Sequence, residues 1–177
     1  MDMTLPKQMK ALVAYGPGDY RLETAWPVPE CGPDDIIIRT EGCGICSSDL
    51  KCLHGAPQYW GNEIMPAWVD PPFIPGHEFL GRVAAVGEHV KDYTVGDRIT
   101  CDQIAPCGEC RFCKSGKYWM CQPHRMYGYF KDYCGGMAEY VRLPRNARLY
   151  RVPDSFTLEQ AALTEPYACS LHAVRRA

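Results

Sequence analysis

Four cysteines, Cys107, Cys110, Cys113 and Cys121, fall within fifteen residues in the pattern C-x2-C-x2-C-x7-C. This cluster constrains the chain more than any other feature. Thiolates two residues apart can both reach one ion about 2.3 Å away in a tetrahedral arrangement, and four of them leave no open position. The surrounding lobe, residues 106–123, has too few apolar side chains to organise itself. Zinc is the first reading, with a closed, structural site. Two disulfides or an iron–sulfur cluster are the alternatives that such compressed spacing also allows.

The rest of the chain bears on that choice. Eleven cysteines in 177 residues would suit a secreted disulfide framework. The opening MDMTLPKQMK, however, has neither the apolar core nor the small-residue cleavage site of an export signal. No apolar run approaches the roughly 18 residues of a membrane span. These features predict a cytoplasmic protein and weigh against disulfides. Net charge is −2, with 19 basic and 21 acidic residues mixed along the chain, so neither a nucleic-acid stripe nor a membrane partner is expected.

Local patterns predict a domain rich in β-structure. Met9–Tyr15 and Tyr20–Thr24 read as strands around a GPGD turn, and Asp35–Glu41 carries the β-branched run Ile36, Ile37, Ile38. Further strands are expected at Phe79–Val86, Asp97–Cys101, Met137–Leu143 and Leu149–Val152. Ser47–Leu53 can begin a short helix. Leu53–Gly76 is a long irregular passage whose Tyr59, Trp60, Trp68 and Phe73 argue for an ordered loop facing substrate or a subunit. After residue 154 the pattern turns helical, with Ser155 as a cap and Leu158, Ala161, Ala162 and Leu163 at helical spacing.

A second metal site can be assembled from distant pieces. Cys46 lies in GCGICSSD, His77 and Glu78 in PGHEFLGRV, and Glu165 in TEPYACSLHA. Each is weak alone. Together they supply a thiolate, an imidazole and carboxylates, and catalytic zinc takes three protein ligands while keeping a position open. Cys43 and Cys46 also spell C-x2-C, but no thioredoxin-like βαβ pattern surrounds them.

These segments occur in a familiar order. GICSSD, then GHEFLGRVAAVG with VGDRI, then the four-cysteine lobe and EPYACSLHA resemble the zinc-dependent medium-chain dehydrogenases, and the resemblance runs from about Met9 to Ala177. It implies a mainly β fold: a GroES-like, partly open β-barrel with short helices and a zinc-binding lobe. Residues 1–153 would form that catalytic domain, and 154–177 the helical start of a connection to a nucleotide-binding domain. It implies two zinc ions, one structural on Cys107, Cys110, Cys113 and Cys121, and one catalytic on Cys46 and His77. Glu78 matches the acidic residue beside the metal. Glu165 matches a position that is acidic in the sorbitol and threonine dehydrogenases. Asp49 matches the carboxylate that accepts a hydrogen bond from the ligand histidine, and Ser48 the hydroxyl that meets the substrate oxygen and carries its proton. Where many relatives have a histidine for proton relay, this chain has Lys51.

The implied activity interconverts a small alcohol or polyol and its carbonyl, with NAD or NADP as hydride carrier. The alternative is a non-enzymatic zinc module. A G-x-G-x-x-G turn for the dinucleotide is not found, so the family's Rossmann domain is expected to be missing from this chain, which alone would be inactive. A homodimer or homotetramer is expected at full length.

Overall fold

In the computed structural model residues 5–177 are described; the first four residues of the stretch read for an export signal lie outside them. Strands β1 (Gln8–Gly16) and β2 (Asp19–Pro27) form an antiparallel hairpin around the predicted GPGD turn. Strands β3 (Ile36–Gly44), β4 (Glu78–Val86), β5 (Arg98–Cys101), β8 (Tyr140–Leu143) and β9 (Leu149–Arg151) form a five-stranded antiparallel sheet in the order β8-β3-β4-β5-β9. A two-residue pair, β6 (Ile104–Ala105) with β7 (Arg125–Met126), brackets the cysteine lobe. The fold is mainly β, a GroES-like barrel left partly open.

The isoleucine run explains why β3 is central. Successive strand residues point to opposite faces, so a strand covered on both sides reads as continuous apolar sequence. Ile36, Ile37 and Ile38 are all buried, with Ile36 and Ile38 in a core shared with Phe79, Val83, Ile99 and Leu143. The hairpin is joined to the rest through single bridges, Ala11 to Ala138 and Ala14 to Phe73. Among the described residues no helix is long and apolar enough to cross a membrane.

The structure departs from the sequence reading in several places, each with a local cause. The segment Met137–Leu143 is strand only from Tyr140, because its first residues serve the hairpin instead. Leu12 N–H donates to the Met137 carbonyl, and Ala138 bridges Ala11. The passage Leu53–Gly76 contains a short helix, α2 (Pro57–Trp60), following α1 (Ser47–Leu53). It is ordered by aromatic packing: Trp60 and Trp68 join a cluster with Phe73, Tyr129 and Phe130. Backbone N–H groups of Trp68 and Val69 both donate to the Tyr59 carbonyl, at 2.8 and 3.1 Å. In the cysteine lobe a one-turn helix, α3 (Arg111–Lys114), buries none of its residues.

At the carboxy-terminal end the cap is Thr157, not Ser155. Thr157 Oγ1 accepts from Gln160 N–H while the Gln160 side chain accepts from Thr157 N–H, a reciprocal pair that Ser155 cannot form with Leu158 three residues on. Helix α4 (Leu158–Ala162) then packs through Ala161 onto Leu80 and Val152 before the chain turns at Leu163 into α5 (Thr164–Arg176).

Candidate active site

Strand pairing brings the distant pieces together. In the antiparallel register of β3 and β4, Gly44 lies opposite Glu78. The residues just past the end of β3 therefore meet those at the start of β4, and a 31-residue separation in sequence closes to direct proximity. Ligand atoms of Cys46, His77 and Glu78 all lie within 4.8 Å of one another. Gly44 leaves the Glu78 carboxylate its place, because a Cβ there would make that carboxylate move.

Asp49 ties the cluster to helix α1. Its Oδ2 accepts from the Cys46 N–H at 2.9 Å, and its Oδ1 faces His77 Nδ1 at 3.6 Å. That second separation is too long for a hydrogen bond, and both atoms are buried without any other partner. Two orphaned polar atoms facing each other fit a carboxylate that fixes an imidazole and leaves Nε2 toward the cluster. Burial disfavours a charged His77, but the carboxylate of Asp49 and then the Cys46 sulfur outweigh it and push the imidazole up to about 9.

The cluster forms the floor of a cavity of about 330 Å³. Ser48 lines it, with Oγ 3.5 Å from His77 Nε2. Its walls include Tyr59 and Trp68 from the long passage and Tyr129 from the segment after β7. Trp60 and Phe73, from the same passage, pack into the aromatic core instead. Lys51 is exposed on α1.

Glu165, in the first turn of α5, lines the same cavity but stands outside the close group of three. Its Oε1 accepts from the Cys169 thiol at 3.0 Å, and burial pushes its carboxyl up. Glu165 and Cys169 also line a neighbouring cavity of about 480 Å³ against Tyr118, Trp119 and His172.

The four lobe cysteines form the other close group, with their sulfurs within 4.8 Å of one another. Cys107 Sγ and Cys113 Sγ are 4.0 Å apart. Bonded sulfurs would be about 2.05 Å apart, whereas sulfurs sharing a tetrahedral zinc at about 2.3 Å stand roughly 3.8 Å from each other. All eleven cysteines are free thiols. Backbone N–H groups point at the sulfurs, Cys107 N to Cys121 Sγ and Cys110 N to Cys107 Sγ at 3.3 Å each. Hydrogen bonds from the backbone of Cys113 and Gln122 lower the Cys110 thiol to about 6. The donor set fits a thiophilic cation.

The sequence reading missed Tyr129 as a wall residue and Cys169 as the partner of Glu165. The i, i+4 spacing of Glu165 and Cys169 was the available signal for the second. Tyr129 had none, because it reaches the cavity through a contact 81 residues away.

Fold and site together define a class: a β-domain with a Cys/His/Glu cluster at one strand junction and a second, separate group of four cysteine sulfurs. Residues 32–154 match the alcohol dehydrogenase GroES-like domain. The chain belongs to the zinc-dependent medium-chain dehydrogenase family. It is 47% identical over 180 residues to the erythritol/L-threitol dehydrogenase of Mycolicibacterium smegmatis, covering 100% of this chain and 49% of that protein. It is 36% identical to the sorbitol dehydrogenase of Bacillus subtilis, over 99% of this chain and 47% of the relative. Among solved structures, a zinc-binding dehydrogenase from Sinorhizobium meliloti bound to NADP superposes with a TM-score of 0.83 at 35% identity, covering 96% of this chain and 46% of that one. The 2R,3R-butanediol dehydrogenase of Bacillus subtilis gives 0.77 at 31% identity, covering 95% and 47%. The chain thus spans about half the length of these relatives.

Proposed function

We propose that this chain carries the metal-binding and substrate-binding part of a zinc-dependent oxidoreductase that interconverts a small polyol and its carbonyl, with NAD or NADP as hydride carrier. The observation that carries this reading is the open cluster. Cys46, His77 and Glu78 converge on one point at the floor of a cavity, with the Ser48 hydroxyl beside them. A closed site would only hold structure; a three-residue site beneath a cavity leaves room for an oxygen-bearing molecule.

Cys46, His77 and Glu78 would hold the catalytic zinc, and Cys107, Cys110, Cys113 and Cys121 the structural one. Zinc in the open site supplies Lewis acidity that makes a hydroxyl proton easier to lose, and the nicotinamide supplies the hydride acceptor. The chain's own residues do the rest. Asp49 fixes the His77 ring, and the Ser48 hydroxyl hydrogen-bonds the reacting oxygen, stabilising it as its own proton is lost. Tyr59, Trp68 and Tyr129 enclose the carbon chain and exclude water. Glu165, held by Cys169, presents a carboxylate to further hydroxyls of the substrate. A short polyol is the substrate class that a small, partly aromatic cavity with such polar groups fits. The similarity to the erythritol/L-threitol enzyme favours four carbons.

The test is metal analysis of the natural full-length protein together with reduction of NAD and NADP by a series of C4 to C6 polyols. Two zinc ions per chain and polyol-dependent reduction are expected. One firmly held ion and no reduction would favour the non-enzymatic module. A Gly44→Ala protein sharpens the comparison. Its added methyl displaces the Glu78 carboxylate, so affinity for the catalytic ion is expected to fall by roughly 10–100-fold, as for other changes that disturb ligand placement. The four-cysteine ion should be retained, which competitive chelation will show.

A further inference from the structure

We infer that Tyr129 is a positioning residue for Ser48, its phenol fixing the serine hydroxyl so that the serine proton is directed into the cavity at the substrate oxygen. The inference rests on the dehydrogenase reading above and adds to it a residue outside the metal cluster.

Tyr129 Oη donates to Ser48 Oγ at 2.9 Å. A serine hydroxyl has one proton and two lone pairs. Accepting from Tyr129 occupies one lone pair and leaves the proton to be donated elsewhere. His77 Nε2, at 3.5 Å, is beyond good hydrogen-bond distance. The Tyr59 phenol stands near the serine hydroxyl on the same wall, and the space beyond is the cavity that Ser48, Tyr59 and Tyr129 all line. A rotor that would otherwise sample three orientations is thereby biased toward one, facing the position of the reacting oxygen.

For this to work the phenol must be neutral and stationary. A phenol, with an ordinary pKa of about 10, is a hydrogen-bond donor at neutral pH. Its ring is 1% exposed. It stacks on Tyr59, with centroids 5.3 Å apart and planes 13° from parallel, and packs on Trp68 at 5.1 Å and His77 at 5.6 Å. The backbone fixes its root as well. Gly128 has a positive φ of 88° and lies so close to Gly76 that a Cβ would come within 3.0 Å of the Gly76 nitrogen. Tyr129 and His77, the residues that follow these two glycines, are therefore set by one backbone contact.

The hydroxyl can be removed without touching the packing. In the zinc-loaded natural full-length protein, Tyr129→Phe is expected to lower kcat for polyol oxidation about tenfold, the worth of one well-placed hydrogen bond. KM should stay within about twofold and zinc content should be unchanged. The decisive comparison is a double-mutant cycle. Added to a Ser48→Ala background, Tyr129→Phe should change kcat by less than about twofold, since no hydroxyl remains to be oriented. Equal falls in both backgrounds, or no fall in either, would overturn the inference while leaving the dehydrogenase reading intact. A parent protein that reduces neither NAD nor NADP with any polyol would overturn both, and would be seen before any variant is compared.

Discussion

A His77→Ala protein is expected to hold one zinc ion per chain where the parent holds two, and to lose polyol oxidation by roughly a thousandfold or more. The size follows from what the open site supplies. Lewis-acid stabilisation of a developing alkoxide contributes several kcal/mol, and each 1.4 kcal/mol is about tenfold in rate. His77 is the ligand to remove because it is 3% exposed and shares its ring with Asp49. Alanine leaves that carboxylate buried and alone, which itself costs stability. His77→Gln keeps a donor for Asp49, so it separates loss of metal from loss of fold. Circular dichroism should show Gln close to the parent while zinc analysis gives the same single ion. Two retained ions and persistent turnover would show that the imidazole belongs to no metal site.

The second large effect belongs to the lobe. In Cys110→Ser the structural ion loses one of four thiolates, and its retention should fail in dilute chelator while the catalytic ion remains. Metal binding in such sites is itself folding energy. Little apolar packing holds this segment, because α3 buries no side chain and Phe112 is only half-buried; outside α3, Tyr118 ties the lobe to Asp102 and Arg148. A drop of roughly 10 °C in melting temperature is expected for a domain of this size. Trypsin gives a local readout. Arg111, Lys114 and Lys117 lie in or beside α3, and cleavage there should accelerate at least tenfold while the sheet stays protected. If the lobe is no more sensitive than in the parent, the four thiolates are not its fastening.

The lobe was the most legible part of the site because its information is local: four identical donors within fifteen residues. Cys46, His77 and Glu78 were legible only in combination, since what unites them is the pairing of Gly44 with Glu78 across β3 and β4. The isoleucine run marked a doubly covered strand, and the structure places β3 inside its sheet, between β8 and β4. Tertiary competition set the limits. Met137–Glu139 looks like the start of a strand, yet the hairpin claims part of its backbone, through Leu12 to Met137 and Glu139 to Lys10, and Pro75 takes the Met137 N–H. Thr157 outcompetes Ser155 because the residue three positions on is a glutamine and not a leucine. Tyr129 was invisible for a different reason. Its place depends on two glycines, 52 positions apart, whose backbones touch.

The long aromatic passage has a consequence for how such a protein can diversify. Its Tyr59 and Trp68 shape one side of the cavity and are held to each other by their own main chain. The donors Cys46, His77 and Glu78 belong to strand ends that this passage merely connects. Two features of the fold are therefore built separately: changes between α1 and β4 can reshape the cavity wall, while the Cys46, His77 and Glu78 cluster keeps its place at the strand ends.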